Sequence, residues 1–328
     1  MSGVGKRSRG SHHSTGLYGP WGLDRWRNLM LKLGKIDYLN VWPVYYAMEH
    51  GFTPNPCRIT ARCPSELNAM MCRGDLDISA VSSVMYARYP QLFHIVPGLA
   101  IACDGPVHSV LLLSQKPMEA LEGEDILLTS HSDTSVVLLK VLMERYWRVQ
   151  GVRYHRGALS AALGNGSSPT AFLAIGDEAL VWGRHAEYPH RWDLAEVWNR
   201  WTGLPFVFAL WVVRRDVAAH APGPVREVVR CLWESKAWGV RHLDVLCREA
   251  ARVGILDPEG LRRYYQTFRF DLDEKALKGL NLFYRQMVGI GDIAECPLLD
   301  VWADAENDRD SVRGGCPKGE NGRWAARI

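Results

Sequence analysis

Apolar and polar positions alternate along this chain in short blocks, and the blocks follow one grammar. Leu31–Ile36 is an apolar run of strand length. It breaks at a polar corner, Asp37 to Asn40, and a helix is expected from Pro43, where a missing N–H costs nothing. Pro54-Asn55-Pro56 reads as a loop and residues 58–61 as a short strand. Pro64-Ser65-Glu66-Leu67 starts a helix whose Leu67, Met70 and Met71 share one face, and Gly74 stops it. Residues 76–81 form the next strand, which ends at Ser82-Ser83. Val84-Met85-Tyr86 begins a short helix before Tyr89-Pro90. Residues 93–102 and 107–113 are strand-like runs around the turn Asp104-Gly105-Pro106, and the second is expected to carry the chain into another lobe.

The order then repeats. Residues 125–128 form a strand, Thr129 to Ser135 a polar corner, and residues 136–147 a helix with Leu139, Leu142, Met143 and Tyr146 facing inward. Residues 164–169 read as a flexible loop; it lacks the Walker lysine and precedes a strand, which argues against a phosphate cradle. Ala171–Ile175 ends at Gly176-Asp177, Glu178 opens a helix, and Tyr188-Pro189 answers Tyr89-Pro90. The apolar run 204–213 suits a buried strand returning to the first lobe. Helical patterns follow over 225–238, 243–253, 258–267 and 273–288, with Pro258 and Asp273 as helix starts.

This layout predicts an α/β protein of two lobes with a ligand cleft between them, like the type II periplasmic-binding-protein fold. Residues 30–112 and 212–300 are expected to form the first lobe and 113–211 the second. Disordered segments are expected over 1–29 and 301–328.

Composition narrows the function. The chain has 328 residues, 47% hydrophobic and 23% charged, enough for two lobes of ordinary size. Its formal charge of +3 arises in residues 1–29, so the remainder carries no electrostatic footprint for nucleic acid. Residues before Met30 lack the apolar centre of a signal peptide, and no apolar run is long enough to span a membrane. A cytoplasmic protein with a small-molecule ligand, no nucleic acid and no membrane is expected. The eight cysteines form no Cys-x-x-Cys and no zinc spacing, and are expected to be reduced packing residues. No dinucleotide fingerprint, zincin or nucleophile-elbow motif is present.

Four corners carry the chemistry: Asn40, Ser82-Ser83, Thr134-Ser135 and Gly176-Asp177. Hydroxyls, an amide and helix N-termini together suit carboxylates. Each corner alone reads more readily as a helix cap, or for Asn40 a turn, than as part of a site. Four in symmetric positions favour a site. His131 lies beside the third corner and is read as a surface loop residue.

The residues also carry a resemblance. Tyr38-Leu39-Asn40, Pro64-Ser65-Glu66-Leu67-Asn68, Gly74-Asp75-Leu76-Asp77-Ile78 and Ser82-Ser83 with Tyr86 form one set of motifs. Val107-His108-Ser109-Val110-Leu111-Leu112, Thr134-Ser135-Val136, Ile175-Gly176-Asp177 with Ala179-Leu180, and the segment from Thr202 to Trp211 form the other. Between Leu31 and Asp292 the chain resembles the chorismate dehydratases of the futalosine route to menaquinone, within the menaquinone biosynthetic enzyme family. The resemblance implies a carbon–oxygen lyase converting chorismate to 3-[(1-carboxyvinyl)oxy]benzoate and water, with no metal and no organic cofactor. It implies Asn40, Ser83 and Asp177 as catalytic residues. Substrate would be bound by Tyr38, Ser82, Ser109, Ser132, Thr134, Ser135 and Gly176. With no obvious protein base, the substrate's enolpyruvyl carboxylate is expected to take the ring proton, with Asn40 orienting the reacting groups and Asp177 or a water protonating the leaving hydroxyl. The alternatives are the 1,4-dihydroxy-6-naphthoate synthase of the same route and a non-catalytic carboxylate-binding protein on the same scaffold.

Overall fold

A computed structural model of the protein describes residues 30–164 and 168–303. The expectations for 1–29, for the middle of the 164–169 loop and for most of the tail, with Cys316, lie outside the described residues. The chain runs β1 (Leu31–Ile36), α1 (Trp42–Glu49), β2 (Cys57–Arg62), α2 (Pro64–Arg73), β3 (Ile78–Ser82), α3 (Ser83–Arg88) and β4 (Phe93–Cys103). It continues through β5 (Val110–Ser114), β6 (Asp125–Thr129), α4 (Asp133–Val141), β7 (Arg153–Gly157), α5 (Leu159–Gly164), β8 (Ala171–Ile175), α6 (Gly176–Trp182), β9 (His190–Asp193) and α7 (Leu194–Thr202). Then come β10 (Phe206–Arg214), α8 (Arg215–His220), α9 (Pro222–Arg241), α10 (Leu243–Ala250), α11 (Pro258–Thr267), β11 (Phe268–Arg269) and α12 (Glu274–Gly289).

Two mixed sheets result. The first has the order β11-β4-β10-β3-β1-β2 and the second β7-β6-β8-β5-β9. Strands β1, β2 and β3 are parallel, and β10 returns antiparallel between β3 and β4. In the second sheet β6 is parallel to β7 and β8, while β5 is antiparallel to β8 and β9. Sheet membership moves the lobe boundaries set out above. All of β5 pairs in the second sheet, so the chain crosses between Cys103 and Val110 rather than at residue 112. All of β10 pairs in the first, so the return falls between Thr202 and Phe206 rather than at residue 211. The pattern of apolar residues marks a strand but not which sheet receives it.

Three strands were not anticipated: β7, β9 and β11. The first two are edge strands of polar sequence (Arg153-Tyr154-His155-Arg156-Gly157 and His190-Arg191-Trp192-Asp193), and the third has two residues. The helix expected over 136–147 starts at Asp133 and loosens into a π-helical turn over Leu142–Trp147. That change of pitch rotates Tyr146 outward, where it is exposed rather than inward-facing. Among the described residues no helix is long and apolar enough to cross a membrane, and seven cysteines are free.

A buried polar thread fixes the first corner. Trp211 Nε1 on β10 donates to the Tyr45 hydroxyl at 2.9 Å, and Tyr45 donates to the Gly34 carbonyl on β1 at 2.8 Å. Helix α1 is thereby tied to both strands, with α9 pressed against its other side. The approach is close enough to require glycine: a Cβ on Gly239 would lie 2.1 Å from the Pro43 carbonyl oxygen. Gly239→Ala is therefore expected to destabilise the protein by about 1–3 kcal/mol through forced displacement of α1. The midpoint of urea unfolding checks this, and an unchanged midpoint would show that α1 and α9 are not rigidly packed.

Candidate active site

The parallel strands of both sheets end at the cleft, as ligand-binding α/β sheets do. The cavity there is lined by Tyr38 and Asn40 after β1, Ser82 at the end of β3, and Ser109 and Val110 at the crossing into the second lobe. Ser132 and Ser135 join it after β6, and Gly176 after β8. Ile101, Val107, Phe208 and Phe268 give it apolar walls. No charged side chain is among its lining residues.

Three of the residues singled out as site residues stand elsewhere. The Ser83 and Thr134 hydroxyls meet each other at 3.4 Å where α3 of one lobe abuts α4 of the other. Thr134 also accepts from the Val84 N–H at 3.3 Å. The Asp177 carboxylate accepts from the Leu39 N–H across the cleft at 3.4 Å. In each case the cavity takes the neighbouring residue, because adjacent positions at the start of a helix point roughly 100° apart. These contacts hold the lobes together. Two others help: Ser65 N–H to the His131 carbonyl at 3.2 Å, and Asn68 Nδ2 to Asp133 Oδ2 at 3.3 Å. His131 thus acts through its backbone.

Closure is tight. The space open to water inside the cavity is about 60 Å³, room for a handful of water molecules at about 10–15 Å³ each. A ring-sized ligand requires the lobes to part, and the two crossings, at 104–109 and 203–205, are the segments that must bend. Gly176 sits under the Tyr38 ring with φ of +56°, and a Cβ there would lie 3.1 Å from the ring carbons. Both the conformation and the approach require glycine.

Hydrogen-bond direction gives the cavity its chemistry. The Ser82 oxygen accepts from Asn68 Nδ2 at 3.0 Å and from the Met85 N–H at 3.2 Å. Both lone pairs are engaged, so its proton is left for the cavity. Ser132 accepts from the Ser135 N–H at 3.2 Å and donates to Ser135 Oγ at 3.1 Å, which leaves the Ser135 proton free to donate. Ser109 Oγ accepts from the Tyr264 hydroxyl at 2.9 Å. Asn40 adds an amide whose Oδ1 is buried and unpartnered among the described residues. An unmet buried acceptor costs about 1–3 kcal/mol, so this amide is poised for a ligand. The serine protons suit an anionic guest, and the Asn40 oxygen suits a donor on that guest, such as a hydroxyl. Among the described residues no group of His, Cys, Asp and Glu could hold a metal ion.

Asn68 and Tyr264 were not singled out from the sequence. Asn68 lies inside a motif quoted above but reads there only as part of a helix, and it grips Ser82 through both amide arms. Tyr264 lies 155 residues from its partner, and no local pattern announces it.

Burial, with the negative charge of Asp37 nearby, raises the Asp177 carboxyl to about 6, and the Leu39 hydrogen bond only partly offsets this. The closed protein therefore binds a proton that the unfolded chain releases near pH 4. Stability from this group is present below the unfolded pKa and is lost as pH rises through about 6. Asp177→Asn is expected to melt above the parent protein at pH 7.5, with the gap closing as pH falls from 6 to 4. Melting curves across that range check it, and a gap independent of pH would contradict the assignment.

A family model described as "Menaquinone biosynthesis" matches residues 31–288. A chorismate dehydratase of Thermus thermophilus is 32% identical over 270 residues, covering 76% of this chain and 93% of that protein. A crystal structure of an Archaeoglobus fulgidus protein superposes with a TM-score of 0.66 at 19% identity, covering 80% of this chain and 98% of the other. A Candida albicans protein described as having the generic periplasmic binding protein fold superposes at 0.60 with 9% identity, covering 87% and 95%. The two-lobed fold expected from the sequence is that fold.

Proposed function

The chain belongs to the menaquinone-biosynthesis family, and from that premise we propose that it is a chorismate dehydratase, a cytoplasmic lyase that removes water from chorismate to give 3-[(1-carboxyvinyl)oxy]benzoate. The observation that carries this reading is the set of outward-directed serine protons, with an unpartnered amide beside them, in a cavity without charge. Chorismate brings two carboxylates, both acceptors only. Each hydrogen bond to a carboxylate contributes about 1.5–3 kcal/mol.

The reaction removes the ring C3 proton and expels the C4 hydroxyl. Donors on the ring carboxylate stabilise the dienolate formed between these steps, since that is where charge accumulates. Ser82, Ser109 and Ser135 are the residues suited to this work, with Ser132 spending its own proton on the Ser135 oxygen, and without assignment of each to one carboxylate. Aromaticity then drives departure of the hydroxyl.

A base is needed, and the cavity lining holds no carboxylate, histidine or lysine. Tyr38 is the one titratable group there, and burial raises its pKa further above the ordinary phenol value, which makes it a still poorer source of a neutral-pH base. These facts support the substrate's own enolpyruvyl carboxylate as the proton acceptor, with Asn40 orienting the reacting groups. Asp177, engaged with Leu39 in the closed state, is better suited to latching the lobes than to protonating the leaving hydroxyl, which falls to water.

Incubation with chorismate tests the activity. Loss of one water by mass and growth of an aromatic ultraviolet band are expected; a protein that is merely stabilised by chorismate and leaves it intact would be a binding protein. Asn40→Asp places a like charge beside two carboxylates and is expected to lower kcat/KM by about 100-fold or more. Turnover at the parent rate would exclude an orienting amide.

A further inference from the structure

Tyr264, on α11 and well outside the strand-to-helix corners, reaches the cavity residue Ser109 from behind. Its hydroxyl donates to Ser109 Oγ at 2.9 Å, and both side chains are buried. Burial holds the phenol well above its ordinary pKa, so it remains a donor throughout the working pH range. Ser109 has one proton of its own. Its nearest protein acceptor is the Val107 carbonyl at 3.5 Å, two residues back along the same loop. That bond is long, and making it would turn the proton away from the cavity.

We propose that Tyr264 is a positioning residue, which occupies the Ser109 oxygen from behind and so holds the Ser109 hydroxyl as a donor toward a ligand carboxylate. The proposal rests on the chorismate reading above, and it adds a selectivity that the cavity's shape does not supply. With one lone pair engaged and its own proton directed inward, Ser109 favours an acceptor at that point over a group that can only donate, such as an amide N–H or an ammonium. A carboxylate oxygen is accepted.

The Tyr264 ring stands edge-on to Phe268, a cavity wall, with centroids 5.0 Å apart. Tyr264→Phe keeps this packing and deletes only the hydroxyl. Four proteins decide the matter: the parent, Tyr264→Phe, Ser109→Ala and the double variant. Chorismate kinetics, melting temperature and calorimetric titration with benzoate are measured on each. Tyr264→Phe is expected to lower kcat/KM about tenfold with little change in melting temperature. Ser109→Ala is expected to cost more, and the double variant to match Ser109→Ala within about twofold, because the two groups act as one unit.

Losses that multiply in the double variant, or a Tyr264→Phe protein as active as the parent, would overturn the proposal while leaving the dehydratase activity standing. A collapse in the melting temperature of Tyr264→Phe would also overturn it, by making the hydroxyl structural. If the parent leaves chorismate intact, the proposed activity fails, and the same non-additive pattern is then expected in the benzoate dissociation constants. A parent protein that takes neither ligand overturns both.

Discussion

A serine hydroxyl has one proton to give, and this cavity depends on where each of its serine protons goes. Water around an exposed serine leaves the question open. Here an amide and a backbone N–H fill the Ser82 oxygen from behind, the Ser132 hydroxyl engages that of Ser135, and a phenol engages that of Ser109. What remains for the ligand is a set of donors and one unpartnered amide oxygen, which accepts. The donors of such a surface suit carboxylates without a cation, and that matters for the proposed reaction, in which a substrate carboxylate would act as the base. A lysine or arginine on that carboxylate would lower its basicity. Neutral donors on the other carboxylate leave the basic one unquenched.

The same economy governs closure. The lobes meet through side chains that stand next to the cavity residues in sequence: Ser83 beside Ser82, Thr134 beside Ser135, Asp177 beside Gly176. Ligand grip and lobe contact are thus interleaved within single helix starts. Parting the lobes would separate the Ser82 donor of the first lobe from the Ser135 donor of the second, although each is directed by contacts within its own lobe. Closing them excludes water, which strengthens every hydrogen bond inside.

Local grammar made much of this legible. Strand, polar corner and helix are written over a few residues, and the corner residues Asn40, Ser82, Ser132, Ser135 and Gly176 stand out because each lies where a strand gives way to a helix. Rotation about a helix axis is not written so plainly, which is why Ser83, Thr134 and Asp177 were grouped with their neighbours although they face the lobe contact. Edge strands β7 and β9 escaped because half-exposed polar strands lack the apolar signal of buried ones. Tyr264 and Asn68 escaped for a different reason. Their importance lies in a partner, and partners distant in sequence are set by tertiary packing alone.

The place of β10 has a consequence for how the chain is made. It lies between β3 and β4 in the first sheet, so during translation those two strands must wait, edges unpaired, until residue 214 has left the ribosome. The second sheet uses only residues 110–193 and is complete in sequence before the first. The later lobe to begin synthesis is then the earlier one able to finish folding. Tyr264 arrives last, about fifty residues further on at roughly 5–20 residues per second, so for several seconds a nascent chain has its serines in place before the phenol that directs one of them.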